Sequence, residues 1–202
     1  MKNTLDNYLL LQKWSRDMNG VFSRSDLKNL FGTGNPVLLS RRISSLIAGG
    51  AISRFKRGIY IAGQFSLEAL SQKLYPESYI SLGSALSRKL LIGSVPAKTV
   101  YAVKTGRNRR FNTRYGNLIY RGIAKHLIFG CEYEDGIRYA TAEKAFLDTL
   151  YFYQKGFRFS FNVFQDIDLS GLNRAVTEDL LARYKNPKFI SFVKGVLSGE
   201  HS

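Results

Sequence analysis

The sequence contains a single cysteine, Cys131, in 202 residues. One thiol excludes an internal disulfide and gives no sign of an oxidising compartment. Two histidines, His126 and His201, are too few and too far apart to complete a structural zinc site with it. No apolar run approaches the roughly eighteen residues that mark a membrane span, so no transmembrane helix is expected. The opening Met-Lys-Asn-Thr-Leu-Asp lacks the apolar stretch of a secretory signal, and the expected location is the cytoplasm, with no membrane partner.

The most informative scarcity is of acid. Thirty Lys and Arg face fifteen Asp and Glu, a formal charge of +15. The imbalance is local. Residues 1–63 carry ten basic and three acidic side chains, and residues 78–131 carry ten basic and none acidic. Residues 132–202 are balanced, with nine basic and ten acidic. A solvated surface normally mixes both signs, so 54 residues without an acid point to an anionic partner, nucleic acid first. A 45% hydrophobic, 22% charged composition is globular and excludes wholesale disorder.

Apolar spacing predicts a helix over 5–18, closed by Asn19-Gly20. Ser23 and Asp26 stand three apart, as in a capping box, and open a second helix to about Phe31. Asn35-Pro36 pairs a cap with proline at the first helical position, and Gly49-Gly50 stops the third helix. Leu39, Ile43, Leu46 and Ile47 form its buried stripe; Val37, Ser40, Arg41 and Ser44 fall opposite. Two short β-like runs, 51–55 and 58–62, flank Lys56-Arg57 as a hairpin with a basic tip. Three helices followed by such a hairpin make a winged helix-turn-helix pattern. A connecting helix follows over 64–74, and the domain boundary is placed near residue 75, giving domains 1–75 and 76–202. The second domain is predicted as mixed α+β. Its expected parts are a helix over 79–91, strands over 99–103, 118–121 and 127–129, and a basic loop over 104–114. A hairpin about Asp135-Gly136 follows, then helices over 141–154, 172–184 and 187–197.

In a winged helix the third helix enters the major groove. Ser40, Arg41 and Ser44 are then the candidate readers of base edges, with Arg able to hold guanine through two hydrogen bonds. Arg42 lies a quarter-turn away and suits phosphate. Arg24 and Lys28 on the preceding helix, and Arg54, Lys56 and Arg57 on the hairpin, would grip backbone or minor groove. In the second domain, Lys104, Arg107, Arg109, Arg110 and Arg114 define a basic surface able to extend a DNA footprint or to bind RNA.

The segment Tyr79-Ile80-Ser81-Leu82-Gly83-Ser84-Ala85-Leu86, then Val95-Pro96, Thr99-Val100-Tyr101-Ala102-Val103-Lys104-Thr105 and Ala140-Thr141-Ala142-Glu143-Lys144-Ala145-Phe146-Leu147-Asp148, resembles the AbiEi family of bacterial antitoxins. The likeness covers about residues 6–160. After it the chain turns Phe-rich (Phe157, Phe159, Phe161, Phe164) and matches no family motif. The resemblance implies the antitoxin of a type IV toxin–antitoxin, or abortive-infection, system. Such a protein represses its own operon through upstream inverted repeats and counteracts a nucleotidyltransferase-like toxin, in the best-known members without a stable complex. The alternative is a protein- or RNA-interaction module acting on a partner enzyme, with a non-specific or vestigial winged helix.

Enzymatic readings find little support, and no cofactor or metal is expected. A metal-dependent nuclease needs clustered carboxylates, which residues 78–131 lack. No phosphate loop ending in Lys-Ser/Thr is present. Lys144 and Asp148 are spaced as a helical ion pair and Glu143 suits the helix N-terminus, so the three read as structural. Cys131 reads as a small core residue and His126 as a surface or strand-end histidine.

Overall fold

The computed structural model describes residues 4–93 and 96–199; Val95 and His201, singled out above, lie outside them. Among the described residues the chain is a mixed α+β fold of eight α-helices and two sheets. It divides into two compact units, Met1–Pro76 and Glu77–Ser202.

In the first unit, α1 (Thr4–Ser15), β1 (Val21–Ser23), α2 (Arg24–Phe31) and α3 (Pro36–Ala48) precede β2 (Ile52–Lys56), β3 (Ile59–Ala62) and α4 (Leu67–Leu74). The capping box forms: Ser23 Oγ accepts from Asp26 N at 3.0 Å, and Ser23 N donates to Asp26 Oδ2 at 2.7 Å. Gly32, at φ 57°, closes α2. Asn35 Oδ1 accepts from the amides of Val37 and Leu38 and starts α3. Leu11, Phe22, Leu27, Phe31, Leu39, Ile43, Leu46, Ile52 and Tyr60 form the core.

Two details differ from the sequence expectation. The first helix stops at Ser15, and β1 joins the hairpin as a third strand, in the antiparallel order β1-β3-β2. Three residues with Val21 and Phe22 both buried show no alternation, so periodicity could not reveal them. The entry to β1 demands glycine. Gly20 lies at φ 68°, and a Cβ there would sit 2.1 Å from the Gln64 carbonyl oxygen.

In the second unit, β4 (Tyr79–Ile80), α5 (Leu82–Arg88), β5 (Thr99–Thr105), β6 (Arg109–Thr113) and β7 (Gly116–Ile123) lead to the hairpin of β8 (Cys131–Glu134) and β9 (Ile137–Ala140). Helices α6 (Ala142–Gln154), α7 (Arg174–Ala182) and α8 (Pro187–Ser198) complete it. The six-stranded sheet runs β6-β7-β5-β4-β9-β8. Parallel pairs β5/β7 and β4/β9 mix with antiparallel neighbours. Asp135 and Gly136, at φ 49° and 75°, make the hairpin turn that their sequence demands.

Three expectations are corrected here. Tyr79-Ile80 is a strand in the middle of the sheet rather than the start of a helix. Residues 127–129 are not a strand; a 3-10 turn spans Lys125–Leu127. The basic stretch 104–114 is not a loop, since it holds the end of β5, a turn and the edge strand β6. Two of the first three β6 residues are exposed arginines, so no apolar alternation announces it. The turn before it presses onto β7: a Cβ on Gly122 would lie 1.7 Å from the Gly106 oxygen, and Gly122 N donates to Asn108 Oδ1 at 2.8 Å.

A polar cluster sits inside the unit's core. Lys144 and Asp148 pair with both side chains at 0% exposure, so the pair spaced for a helix surface is wholly buried. Asp148 Oδ2 accepts from Tyr79 OH at 2.9 Å and Ser81 Oγ at 2.8 Å. Tyr184 OH accepts from Lys144 Nζ at 2.8 Å and donates to Asp148 Oδ1 at 3.2 Å. Burial, and then the charge of Asp148, push both phenols well above their usual range, which keeps them as donors. The Phe-rich segment packs against the same core.

Breaking a buried pair from one side strands the other charge, which costs about 3–5 kcal/mol. Asp148→Ala is therefore expected to destabilise the second unit by about that amount in urea unfolding followed by circular dichroism. Lys144→Met with Asp148→Leu is expected to recover only part of the loss, because the three hydroxyls stay buried without their acceptor.

Candidate nucleic-acid interface

The exposed side of α3 follows from its own sequence. Leu39, Ile43 and Leu46 turn inward at i, i+4 and i+7, which leaves Val37, Ser40, Arg41 and Ser44 in solvent. Val37 is 61% exposed, an apolar side chain available to a thymine methyl. Ser40 Oγ donates back to the Pro36 carbonyl at 2.8 Å and accepts from Arg24 Nη2 at 3.0 Å. Arg24 also reaches the Pro36 carbonyl, at 3.3 Å. Arg24 thus lies over the first turn of α3, and the Ser40 hydroxyl is already engaged. Arg41 and Ser44 are the side chains left to read an external ligand.

The hairpin tip is tied to this face through the backbone. Arg24 N donates to the Gly58 carbonyl at 2.8 Å, and Gly58 follows Lys56-Arg57 in a turn at φ 82°. Lys28, Lys56 and Arg57 are exposed. Arg54 is exposed and lies 6.0 Å from the ring of Tyr60, its cross-strand partner. Arg42 departs from its expected role. It is half-buried and donates to the Phe31 carbonyl at 2.9 Å, closing the end of α2 instead of facing outward.

In the second unit Arg107, Arg109, Arg110 and Arg114 are exposed on the β5–β6 turn, on β6 and just beyond it. Lys104 does not belong with them. It is 7% exposed, with its ammonium on the Thr105 carbonyl at 2.7 Å. It points inward because residues alternate along β5, where Ala102 and Lys104 share a face. Arg114 bonds the Tyr115 hydroxyl and stacks on its ring.

No family model and no curated protein matches the chain. Among solved structures it is similar to the RV2827C protein from Mycobacterium tuberculosis. The TM-score is 0.60 at 13% identity, over 100% of this chain and 79% of that one. That likeness is one of fold.

Sequence reasoning missed Arg121. On β7 its guanidinium lies 3.6 Å from the Phe157 ring centroid, a contact between residues 36 positions apart that local pattern cannot signal. Among the described residues no group of three or more His, Cys, Asp and Glu is placed to hold a metal ion. A recess of about 380 Å³ between Trp14, Met18, Phe22 and Leu30 borders one acid, Asp26, whose carboxylate is committed to the Ser23 cap and to Lys73 at 2.7 Å. Burial pushes the Cys131 thiol up to about 11, which leaves it a poor nucleophile. His126 is exposed on the 3-10 turn.

The Arg42 geometry gives a separable expectation. Arg42→Ala is expected to lower stability by about 1–2 kcal/mol through the lost charged hydrogen bond, read in chemical denaturation. Base preference in DNA binding should stay as in the parent, because Arg42 faces Phe31 rather than a groove.

Proposed function

We propose that the chain is a DNA-binding regulator whose first unit is a winged helix-turn-helix. Its third helix, α3, is the recognition helix, and the β2–β3 turn is the wing. The observation that carries this reading is the outward face of α3. Arg41 and Ser44 stand exposed there, Arg24 is fastened across to Ser40, and the wing turn is fastened to Arg24. A cationic helix face with a cationic turn beside it suits a major groove flanked by phosphate.

The resemblance to AbiEi antitoxins supplies the biological setting: repression of the chain's own operon at inverted repeats and counteraction of a nucleotidyltransferase-like toxin. In this setting the protein acts by binding, in the cytoplasm and without catalysis, and its basic β6 edge contributes to the second unit's role. The architecture shared with the mycobacterial structure is compatible with that setting and does not select it.

Fluorescence anisotropy on duplex DNA from upstream of the gene tests the reading. Arg41→Ala is expected to lose about 1–3 kcal/mol of discrimination at one or two base pairs. Lys56→Ala with Arg57→Ala is expected to weaken all duplexes alike and to shallow the salt dependence by about two units. Unchanged base preference in Arg41→Ala would remove α3 from the groove.

A further inference from the structure

The second unit holds two neighbouring arginines that no carboxylate among the described residues neutralises. Arg110 on β6 and Tyr101 on β5 both stand beside Ile119 of β7 in the sheet register, and Arg121 lies two residues further along β7. All four therefore share one face of the sheet. Arg121 is half-buried against Phe157, and its Nε is buried without a hydrogen-bond partner. Arg110 donates to Asn112 Oδ1 at 2.9 Å. Among the described residues neither arginine has a carboxylate partner. Burial presses the Arg121 pKa down and the charge of Arg110 adds to this, with Tyr101 opposing. A half-buried cation beside a like charge is unfavourable, and a bound anion would supply the missing counter-charge.

The arginines do not stand alone. Phe157 meets Phe159 at 4.6 Å between ring centroids, Phe159 meets Phe161 at 5.2 Å, and Tyr101 meets Phe157 at 6.3 Å. All four rings are half-buried, so part of each remains in solvent. An aromatic strip running off a pair of arginines is the chemistry of phosphate and unpaired base together. Duplex DNA keeps its bases stacked inside, beyond the reach of such a strip. A free phosphate or an acidic peptide would use the arginines and leave the rings without a role.

We infer that this face of the second unit binds single-stranded nucleic acid, with phosphates on Arg110 and Arg121 and bases against Phe157, Phe159 and Phe161. The inference is independent of the duplex reading of α3, since it uses no residue of the first unit.

The test uses the full chain carrying Arg41→Ala, Lys56→Ala and Arg57→Ala, which disables the proposed duplex site. Anisotropy at physiological salt compares a fluorescein-labelled oligothymidylate of about 20 nucleotides with an abasic strand of equal length. The expected result is binding that survives the three substitutions and is about tenfold or more weaker for the abasic strand. Adding Arg110→Ala should weaken oligothymidylate several-fold and shallow its salt slope by about 0.7; Arg121→Gln should do the same. Arg110 is exposed on an edge strand, so its variant retains the fold and decides the matter even if Arg121→Gln does not fold. Equal affinity for the thymidylate and abasic strands would overturn the proposal. So would loss of binding with the first-unit substitutions, or an Arg110→Ala variant that binds like its parent. Duplex binding by the unsubstituted chain reports on α3 separately.

Discussion

Asp148 holds the second unit together. Its carboxylate accepts from the end of β4 through Tyr79, from the residue before α5 through Ser81, from Lys144 one turn back on α6, and from Tyr184 beyond α7. Four parts of the chain, the most distant of them 69 residues from Asp148 in sequence, converge on two oxygen atoms. A carboxylate at 0% exposure is tolerated only when its lone pairs are filled and a cation stands beside it. Both conditions are met. These bonds tie α6 to β4, to the residue before α5 and to the segment after α7. The sheet, the C-terminal helices and the Phe-rich segment are placed against a helix whose rotation is fixed from within.

Several other acids are engaged in similar ways. Asp26 caps α2 and binds Lys73. Glu132 and Glu134 hold Lys89, and Glu134 also holds Arg88; these hydrogen bonds keep the Glu134 carboxyl at about 2. Glu143 accepts from Asn173 N. Among the described residues, Arg41 on α3, Arg57 on the β2–β3 turn, Arg109 and Arg110 on β6 and Arg121 on β7 form no ion pair with a carboxylate. Part of the +15 charge lies on these elements. The two units then differ in kind. The outward face of α3 offers arginine and serine without aromatic rings, which suits a paired groove, whereas β6 and β7 place arginine beside phenylalanine, which suits unpaired bases.

Much of the α+β fold was legible in the sequence, and the reasons are local. Ser23 with Asp26, Asn35 with Pro36, Thr141, and Asp135-Gly136 each satisfy or bend the backbone within three or four residues, so their chemistry shows in the order of residues. What was illegible depends on distant contacts. Tyr79-Ile80 reads as helical beside Leu82–Arg88 and becomes a strand because β5 and β9 lie on either side of it. The edge strand β6 presents arginines to solvent and so carries no alternation. Lys104, read as surface charge, is turned inward by the register of β5, and Arg42, read as a phosphate ligand, is drawn to the end of α2. On the outward face of α3, the exposure of Arg41 and Ser44 was legible because α3 is amphipathic; the engagement of Ser40 by Arg24 was not, since it joins two helices across sixteen residues.

The measurement that bears most directly on the central claim is a selection from random duplex DNA by the full chain at physiological salt. A recognition helix that reads bases through Arg41 and Ser44 predicts enrichment of one short motif. That motif should bind about a thousandfold or more tighter than scrambled duplex. A pool that stays random, with binding that vanishes as salt rises, would contradict the account of α3 and leave the first unit a generic cationic surface.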